Sequence, residues 1–508
     1  MRKSILIFIV IVLVALMATQ FAAAGPESCD TRVNNTHDKL LECVTLEGVR
    51  AHQAAFQTIA DANGGTRQAG TPGYDASVAY VKDTLEAAGY DVELNEFPFT
   101  FVPPATLIQT APGDPVEYET GAFTGSGFGT VTGPVIPVDL ALEPPRASTS
   151  GCEATDFDGL DFSGPNDIAL VQRGTCFFSV KAVNAENAGA EAVIIFNQGN
   201  SPTRMGLIVA NASQLPDGSP SNLTVPVVGA SFPQGVDLSQ DGSEAFINVD
   251  PPESRPQVNV LAELPGRNDG NVVMAGAHLD SVQAGPGVQD NGSGSAAILE
   301  TAVQMAKVKP RNTVRFAWWG AEESGLVGST AYVNGLTQEE QNDITLYLNF
   351  DMIGSPNHVF FIYDGDDSDG VGAGPGPEGS AQIEELFESY YEGIGEPFKG
   401  TDFSGRSDYG PFIAVGIPSG GLFTGAEGIK TPEEVELWGG TAGDQYDPCY
   451  HLACDTFDNI NLEALDVNSD AVAFATLQYA MNTESINEVR GKGNFQLAPA
   501  SSGPMSSE

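Results

Sequence analysis

From residue 257 onward, the chain alternates apolar strand patterns with helix patterns, and this alternation restricts the fold more than any other feature. The predicted strands are NVVMAGAHLD, TVRFAWWG and ITLYLNFDM, and the predicted helices between and after them include GSGSAAILETAVQMAKV and SAQIEELFESYYEGIG. Strands that alternate with helices form a sheet with helices packed on its two faces. We therefore predict an α/β fold with a mixed central sheet flanked by helices on both faces.

A segment of different amino-acid composition precedes this pattern. Between residues 129 and 251, Pro, Gly and short strands such as DIALVQRG and EAVIIFNQ dominate, with one helix in SVKAVNAENAGA. Helix patterns are found both before and after this segment. We predict a mainly-β domain over 129–251, inserted into an α/β domain made of residues 25–128 and 252–485. The polar residues 486–508 are predicted to form a flexible C-terminal tail.

The first residues have the layout of a signal peptide, which we place at residues 1–24. A short basic start is followed by an apolar run and then by three alanines before Gly25. The apolar run is shorter than the roughly 20 residues of a membrane-spanning helix. We expect a secreted chain, extracellular or periplasmic, with no integral membrane segment after processing.

Cysteine usage agrees with export. The six cysteines form three pairs that are close in the sequence, and local pairing is the simplest arrangement in an oxidising compartment. Sequence alone leaves the other connectivities open. For Cys449 and Cys454 we expect a disulfide, because a segment that turns back can bring two cysteines at this spacing together.

The charge of the chain excludes one broad class of function. With 22 Lys and Arg against 67 Asp and Glu, the net charge is −45. Nucleic-acid binding needs a basic surface, so we expect no nucleic-acid partner. Peripheral binding to anionic membranes is disfavoured for the same reason. The acidity itself indicates a well-solvated surface and points to no particular activity.

Chemistry-bearing residues cluster at the ends of the predicted strands. The residues at these ends are His278, Glu322, Glu323 and Asp351. The others are Asp280, two residues after His278, Asp290, in a loop that opens a predicted helix, and His451, between two cysteines. Ligands of open α/β sheets collect at the carboxyl ends of the strands, and this set of histidines and carboxylates suits two divalent cations, most naturally zinc. Taken singly, each residue also fits a structural role, such as a helix cap, an exposed acid or a buried core histidine. The prediction of a metal site therefore depends on their convergence.

Six strings resemble peptidase family M28, a family of zinc aminopeptidases. They are AGAHLDSV, GVQDNGSGSAAILE, WWGAEESGLVGS, LNFDMIGSPN, SGRSDYGPF and DPCYHLACDT. The resemblance covers roughly residues 45–105 and 252–484, and it implies the zinc exopeptidase fold. The string DIALVQRGTCFFSVKAVNAENAGAEAVIIFNQ resembles a protease-associated (PA) domain, inserted as in several relatives.

The resemblance also implies a role for each matching residue. His278 and Asp351 would bind one zinc, Glu323 and His451 would bind the other, and Asp290 would bridge both. Glu322 would be the general base, and Tyr450 would hydrogen-bond the oxyanion. Asp280 would orient His278, and Arg406 and Phe423 would line the substrate site. The peptide bond between Asp290 and Asn291 is expected to be cis. Some relatives bind calcium through aspartates that match Asp466 and Asp470. Here Cys43 stands where a further acid is needed, so we expect surface aspartates instead.

The activity implied by the resemblance is that of a secreted dizinc aminopeptidase. It would hydrolyse the N-terminal peptide bond of peptides or proteins by a metal-activated hydroxide, with a preference for large apolar first residues. A monomer is the expected state. Two alternatives stay open: another hydrolase of the same family, such as a carboxypeptidase or dipeptidase, and a non-catalytic ectodomain that contains a PA domain. The presence of every expected ligand type favours the enzyme.

Overall fold

The computed structural model of the protein describes Cys29, residues 31–372 and residues 374–495. The predicted signal peptide, residues 1–24, lies outside the described residues. The chain divides into two compact units. The larger consists of the described residues up to Phe99 and from Arg255 to Phe495, and the smaller is Thr100–Ser254.

Within residues 31–99, the larger unit contains three helices and one strand. They are α1 (His37–Leu41), α2 (Leu46–Ala62), α3 (Pro72–Ala88) and β1 (Val92–Phe97). Helix α2 begins at a cap in which the Thr45 side chain accepts a hydrogen bond from the Gly48 N–H. Helix α3 has a proline at its start and ends at Gly89, whose φ of 102° favours glycine.

The smaller unit is mainly β, as predicted. Its elements are β2 (Thr100–Phe101), β3 (Thr106–Ala111), β4 (Val116–Tyr118), β5 (Gly129–Val138), β6 (Ile168–Gln172), α4 (Phe178–Ala188), β7 (Ala192–Phe196), β8 (Val227–Ala230), α5 (Phe232–Leu238), β9 (Glu244–Val249) and β10 (Glu253–Ser254), with short 3₁₀ helices at Ala154–Phe157 and Pro202–Arg204. Seven strands form one sheet in the order β4-β3-β9-β5-β6-β7-β8, and β2 pairs with β10. The unit includes β2, β3 and β4, which precede the predicted start of the insert at residue 129.

The carboxyl-terminal part of the larger unit alternates strands and helices. Its elements are β11 (Gln257–Leu264), β12 (Asn268–His278), α6 (Gly292–Met305), β13 (Asn312–Trp319), α7 (Val327–Gly335), α8 (Gln338–Asp343), β14 (Ile344–Phe350), β15 (Phe361–Tyr363), α9 (Ser380–Ile394), β16 (Lys399–Thr401), α10 (Tyr409–Ala414), β17 (Ser419–Phe423), α11 (Pro432–Trp438), α12 (Leu462–Met481) and α13 (Glu484–Asn487), followed by a 3₁₀ turn at Gly493–Phe495.

Eight strands of the larger unit form one mixed sheet in the order β1-β11-β13-β12-β14-β17-β15-β16. The four central strands β13, β12, β14 and β17 are parallel, so their carboxyl ends meet at one edge. Strand β12 packs on both faces: Val273 and Ala275 belong to the core that contains α6 and α12, whereas Met274 belongs to the core that contains α7 and α10. The predicted mixed sheet with helices on both faces is confirmed.

Part of the predicted C-terminal tail packs against the larger unit. Phe495 is buried, and its carbonyl accepts hydrogen bonds from the side chains of Gln478 and Asn482. Residues 486–495 are therefore held in place where the sequence predicted a flexible segment, and residues 496–508 lie outside the described residues. Among the helices that are described, none has the length and apolar character needed to cross a membrane.

Candidate active site

His278 stands at the carboxyl end of the central strand β12 and is 1% exposed. Its Nδ1 lies 3.1 Å from the backbone carbonyl of Asp280 and 3.7 Å from the Asp280 carboxylate. The carbonyl is thus the nearer acceptor, while the carboxylate accepts the backbone N–H of Glu322. With Nδ1 engaged in this way, Nε2 is the nitrogen that faces the neighbouring carboxylates.

The Asp290 carboxylate lies between the two histidines of the site. Its Oδ1 is 3.2 Å from His278 Nε2, and its Oδ2 is 3.3 Å from His451 Nε2. The bond from Asp290 to Asn291 is cis, as the resemblance implies. Asn291 caps helix α6 by accepting the Gly294 N–H, and it also donates to the Phe350 carbonyl of β14. One asparagine thus ties the loop of Asp290 to the end of a neighbouring strand.

Three further carboxylates follow strands β13 and β14. Glu323 Oε2 lies 3.0 Å from His451 Nε2, and Asp351 Oδ1 lies 3.3 Å from His278 Nε2. Glu322 Oε2 stands farther off, at 3.9 Å from His278 Nε2. The structure therefore brings together the five predicted ligands and Glu322, which come from four separate segments of the chain.

Backbone conformation at the site is unusual in three places. Ala321, Met352 and His451 have φ values of 56°, 54° and 58°, in the left-handed region that non-glycine residues rarely adopt. Each is a candidate ligand or lies next to a candidate site residue in the chain. Strained backbone of this kind concentrates at functional sites, where the surrounding structure holds it.

The electrostatics of the site follow from burial of many charges together. Burial raises the pKa of Glu322 well above its ordinary range and raises the pKa of Glu323 to about 7. Burial would also lower the pKa of His451, but hydrogen bonds to Asp290 and Glu323 outweigh it and raise the pKa to about 10. For Asp290, the two histidines outweigh burial and lower the pKa. Perturbation in opposite directions within one cluster is typical of functional sites.

Several oxygens of the cluster are buried and have no hydrogen-bond partner within the described residues. They include Glu323 Oε1, Asp351 Oδ1 and Asp280 Oδ2. Nitrogen and carboxylate atoms of His278, Asp290 and Glu323 lie within 4.8 Å of one another, as do those of His278, Glu322 and Asp351. Buried acceptors that lack a donor are costly unless a cation satisfies them. The donor set therefore fits divalent cations.

Three residues without a predicted role hold the loops of the site. The buried Arg67 guanidinium donates to the carbonyls of Pro286 and Gly287, ahead of Asp290. Asp455 accepts the backbone N–H groups of Gln289 and Asp290. Ser407 donates to Asp351 Oδ2 at 2.5 Å. Ser407 and Asp455 lie in strings quoted above, and Arg67 lies in the stretch 45–105 that the resemblance covers, but a single polar residue gives no periodic signal.

A cavity of about 350 Å³ opens over the cluster. Besides the five candidate ligands and Glu322, its lining includes Tyr450, Arg406 and Phe423. Arg406 donates to Glu427 at 2.7 Å and to the Tyr450 hydroxyl at 3.1 Å. The Tyr450 ring stacks on the His451 ring with centroids 3.8 Å apart. Asp280 is absent from the lining and lies fully buried behind His278.

The disulfides join the pairs that are close in the sequence. Cys449 pairs with Cys454, as predicted, with their Cα atoms 5.3 Å apart, and the closed loop carries Tyr450 and His451. The other bridges are Cys29–Cys43 and Cys152–Cys176. Because Cys43 is bonded to Cys29, it offers no ligand to a cation beside Asp466 and Asp470.

Histidines and carboxylates gathered over one cavity at the carboxyl edge of an α/β sheet are the arrangement of a metal-dependent hydrolase. Comparison with known proteins gives the family. Residues 259–476 match the model of peptidase family M28, and residues 131–238 match the PA domain. The chain is 50% identical to an aminopeptidase of Pseudomonas aeruginosa over 459 residues. The alignment covers 88% of this chain and 83% of the relative.

Two more distant proteins agree with this match. A leucine aminopeptidase 2 of Trichophyton rubrum is 39% identical over 452 residues, which are 88% of this chain and 86% of the relative. The solved structure of a zinc aminopeptidase from Bacillus subtilis is 26% identical, with a TM-score of 0.58 over 84% of this chain and 94% of that chain. The chain belongs to peptidase family M28. It is an aminopeptidase of that family with an inserted PA domain.

Proposed function

We propose that this aminopeptidase holds two zinc ions and removes large apolar residues from the N-termini of peptides. One observation carries the proposal: each oxygen of Asp290 faces a different histidine, at 3.2 Å from His278 and 3.3 Å from His451. A carboxylate placed between two histidines in this way suits a bridge between two cations. The solved relative from Bacillus subtilis is a zinc aminopeptidase, which favours zinc as the metal.

The residues divide into two ligand sets by their contacts. His278 and Asp351, 3.3 Å apart, would hold one ion, and His451 and Glu323, 3.0 Å apart, would hold the other. Asp290 would serve both. Zinc ions held there would supply Lewis acidity, which lowers the pKa of a water molecule and polarises the scissile carbonyl. The buried acids would otherwise repel one another, so the cations also account for the charge of the site.

Glu322 is the general base in this proposal. It lines the cavity, and its carboxylate is farther from the histidines than those of the ligand residues. Burial raises its pKa, which suits a group that takes a proton from water and returns it to the leaving amine. The backbone N–H of Glu322 donates to Asp280, so the base is anchored to the segment that also orients His278.

Tyr450 is proposed to stabilise the oxyanion that forms at the scissile carbonyl. Its oxygen accepts a hydrogen bond from Arg406, which leaves the hydroxyl hydrogen free to donate to the substrate. The disulfide loop and the stacked His451 ring fix the position of the tyrosine. A donor held in place before the reaction costs little reorganisation when charge develops.

The lining of the cavity accounts for the proposed specificity. A free α-amino group would sit against the acidic groups near Glu322 and Asp351, which favours exopeptidase action. Phe423, Met352 and Tyr363 supply apolar surface for a large first side chain. The fungal relative is a leucine aminopeptidase, in agreement with this preference. A carboxypeptidase would need a cation for the substrate carboxylate. Among the described residues of the lining, Arg406 is the one arginine or lysine, and Glu427 already pairs with it at 2.7 Å.

We further propose that the protein is secreted and acts as a monomer. Three disulfides in the described residues suit an oxidising compartment, and the first 24 residues have the layout of a signal peptide. The domain boundaries given above, with the insert at 129–251, are part of the same proposal.

A pair of leucyl peptides tests the direction of cleavage. One peptide has an acetylated N-terminus and a free carboxylate, and its twin has a free amine and an amidated C-terminus. The amidated peptide should be cleaved at its first bond, and the acetylated one should resist, because the acids of the site lose their ammonium partner. Cleavage of only the acetylated peptide would establish a carboxypeptidase instead.

A further inference from the structure

A second cavity in the larger unit is lined mainly by cationic residues. Its volume is about 340 Å³, and its lining consists of Arg267, Pro310, Arg311, Arg490, Gly491 and Lys492. Four of these six residues carry positive charge. Such a cluster is unexpected in a chain that has 67 acidic residues and only 22 Lys and Arg.

Backbone hydrogen bonds hold the segments of this cavity together. The N–H groups of Arg267 and Asn268 both donate to the Arg311 carbonyl, the Arg311 N–H donates to Ala480 O, and the Lys492 N–H donates to Met481 O. The starts of β12 and β13, the end of α12 and the segment after α13 therefore meet at the cavity. Its geometry is set by backbone contacts, so the cations are gathered by the fold itself.

The four cationic side chains have no partner in the described part of the chain. None of them makes a side-chain hydrogen bond or an ion pair there, and Arg311 Nε is buried without an acceptor. Elsewhere in the unit, by contrast, Arg315, Lys399 and Arg406 each pair with a glutamate. Arg311 is half-buried, and Arg267, Arg490 and Lys492 are exposed, so water screens part of the repulsion among the four like charges. An anion in the cavity would offset the part that remains.

This cavity is separate from the catalytic residues. Arg311 comes just before β13, whereas Glu322 and Glu323 follow that strand. Since β13 has eight residues that rise about 3.3 Å each, the two ends of the strand lie roughly 25 Å apart. The cationic cavity thus sits at the amino edge of the parallel strands, opposite the candidate active site.

We propose that the cationic cavity binds a small multivalent oxyanion through a sulfate or phosphate group. The planar arginine fork matches two oxygens of such a group. The volume is near the lower end of small-molecule pockets, about 300–1,000 Å³. Among the residues that the structure describes, the lining offers no aromatic side chain to a base or sugar ring, and Pro310 is its one apolar side chain. The recognised part is therefore the charged group, and the bound anion stabilises the junction of the segments.

Equilibrium dialysis of the full zinc-loaded chain with labelled sulfate tests the site, at constant ionic strength set with sodium chloride. The wild type should bind sulfate saturably, and Arg311→Gln with Arg490→Gln should weaken binding at least about tenfold. The matched control is Lys309→Gln, an exposed lysine close in the sequence that does not line the cavity. It should bind like the wild type. Sulfate that binds to the zinc ions should contribute equally in all variants, so it does not affect the difference in binding between them.

Thermal unfolding gives a second readout. Sulfate stabilises most proteins weakly because it is excluded from their surface. Binding at the cavity is therefore measured by the difference in the sulfate-induced rise of the unfolding midpoint. That rise should be larger in the wild type and in Lys309→Gln than in the double variant. Hydrolysis of leucyl-nitroanilide should be the same in all of them. If the double variant fails to fold, Arg267→Gln with Lys492→Gln, both exposed, replaces it.

Two results would overturn the proposal. One is the absence of saturable sulfate binding, or equal binding by the wild type and the charge-removed variants. The other is charge-dependent binding to phosphatidylglycerol vesicles without binding of free sulfate or phosphate, which would assign the cations to a lipid surface.

Discussion

Exchanging Glu322 or Glu323 for glutamine should separate proton transfer from metal binding at two adjacent positions. Glu323 Oε2 lies 3.0 Å from His451, and its other oxygen has no hydrogen-bond partner in the described chain, as expected for a ligand. Glu322 stands 3.9 Å from the nearest histidine nitrogen and is held by its backbone N–H to Asp280. Glutamine keeps the shape of either side chain but cannot take up a proton.

For Glu322→Gln we expect both zinc ions to remain while turnover falls about 10²–10⁴-fold, the usual contribution of a general base. At about 1.36 kcal/mol for each factor of ten, this corresponds to about 3–5 kcal/mol of transition-state stabilisation. For Glu323→Gln we expect loss of the ion beside His451, with activity partly restored by excess zinc. The two variants should differ because Glu322→Gln removes a proton acceptor, whereas Glu323→Gln weakens a set of metal ligands.

The assay combines kcat/KM for leucyl-nitroanilide with elemental analysis of zinc in each dialysed variant. Wild-type protein measured alongside sets the reference for both quantities. If Glu322→Gln lost zinc and Glu323→Gln kept it, the two roles would be reversed. If neither variant changed turnover, the site would not be catalytic.

Three further predictions concern the surroundings of the site. Tyr450→Phe should lower kcat by about 10²–10³-fold with unchanged zinc content, as for loss of an oxyanion donor; a normal kcat would exclude the role. Replacing Cys449 and Cys454 by serine should lower kcat/KM at least about tenfold while costing at most about 2 kcal/mol of stability, because the closed loop is short; full activity would show that the bridge does not position Tyr450 and His451. Burial lowers the pKa of His358 to about 4, below its ordinary value of about 6.5. The neutral ring therefore contributes stability that is present above pH 6.5 and lost as the pH falls toward 4, about 3 kcal/mol in all. The thermal midpoint of His358→Phe should fall less between pH 7 and 4.5 than that of the wild type, and equal falls would contradict this.

The sequence predicts the parts of the fold that have strong periodicity. The predicted helix SAQIEELFESYYEGIG coincides with α9 to within one residue, and His278 ends β12 as expected. Short elements such as β16 and α11 were missed, because three to seven residues give no distinct period. The order of the strands in the sheet also depends on contacts between distant segments, which a single sequence does not reveal.

At the site, the sequence predicts which residue types meet but not how they are held. Asp455 accepts the N–H groups of Gln289 and Asp290, which are more than 160 positions away in the chain. Arg67 donates a hydrogen bond to the carbonyl of Pro286, more than 200 positions away in the chain. Such contacts arise from packing of the finished fold, so they leave no local signal. Likewise, the sequence suggests that Asp280 orients His278, but it does not distinguish the carbonyl from the carboxylate.

The zinc content of the purified protein shows whether His278, His451 and Asp290 hold two zinc ions. Purified protein is reconstituted with zinc, dialysed and analysed for zinc per chain, beside His451→Ala and His278→Ala. We expect two zinc ions in the wild type and the loss of at least one in each variant. A single zinc in the wild type, or zinc content unchanged by both substitutions, would contradict it.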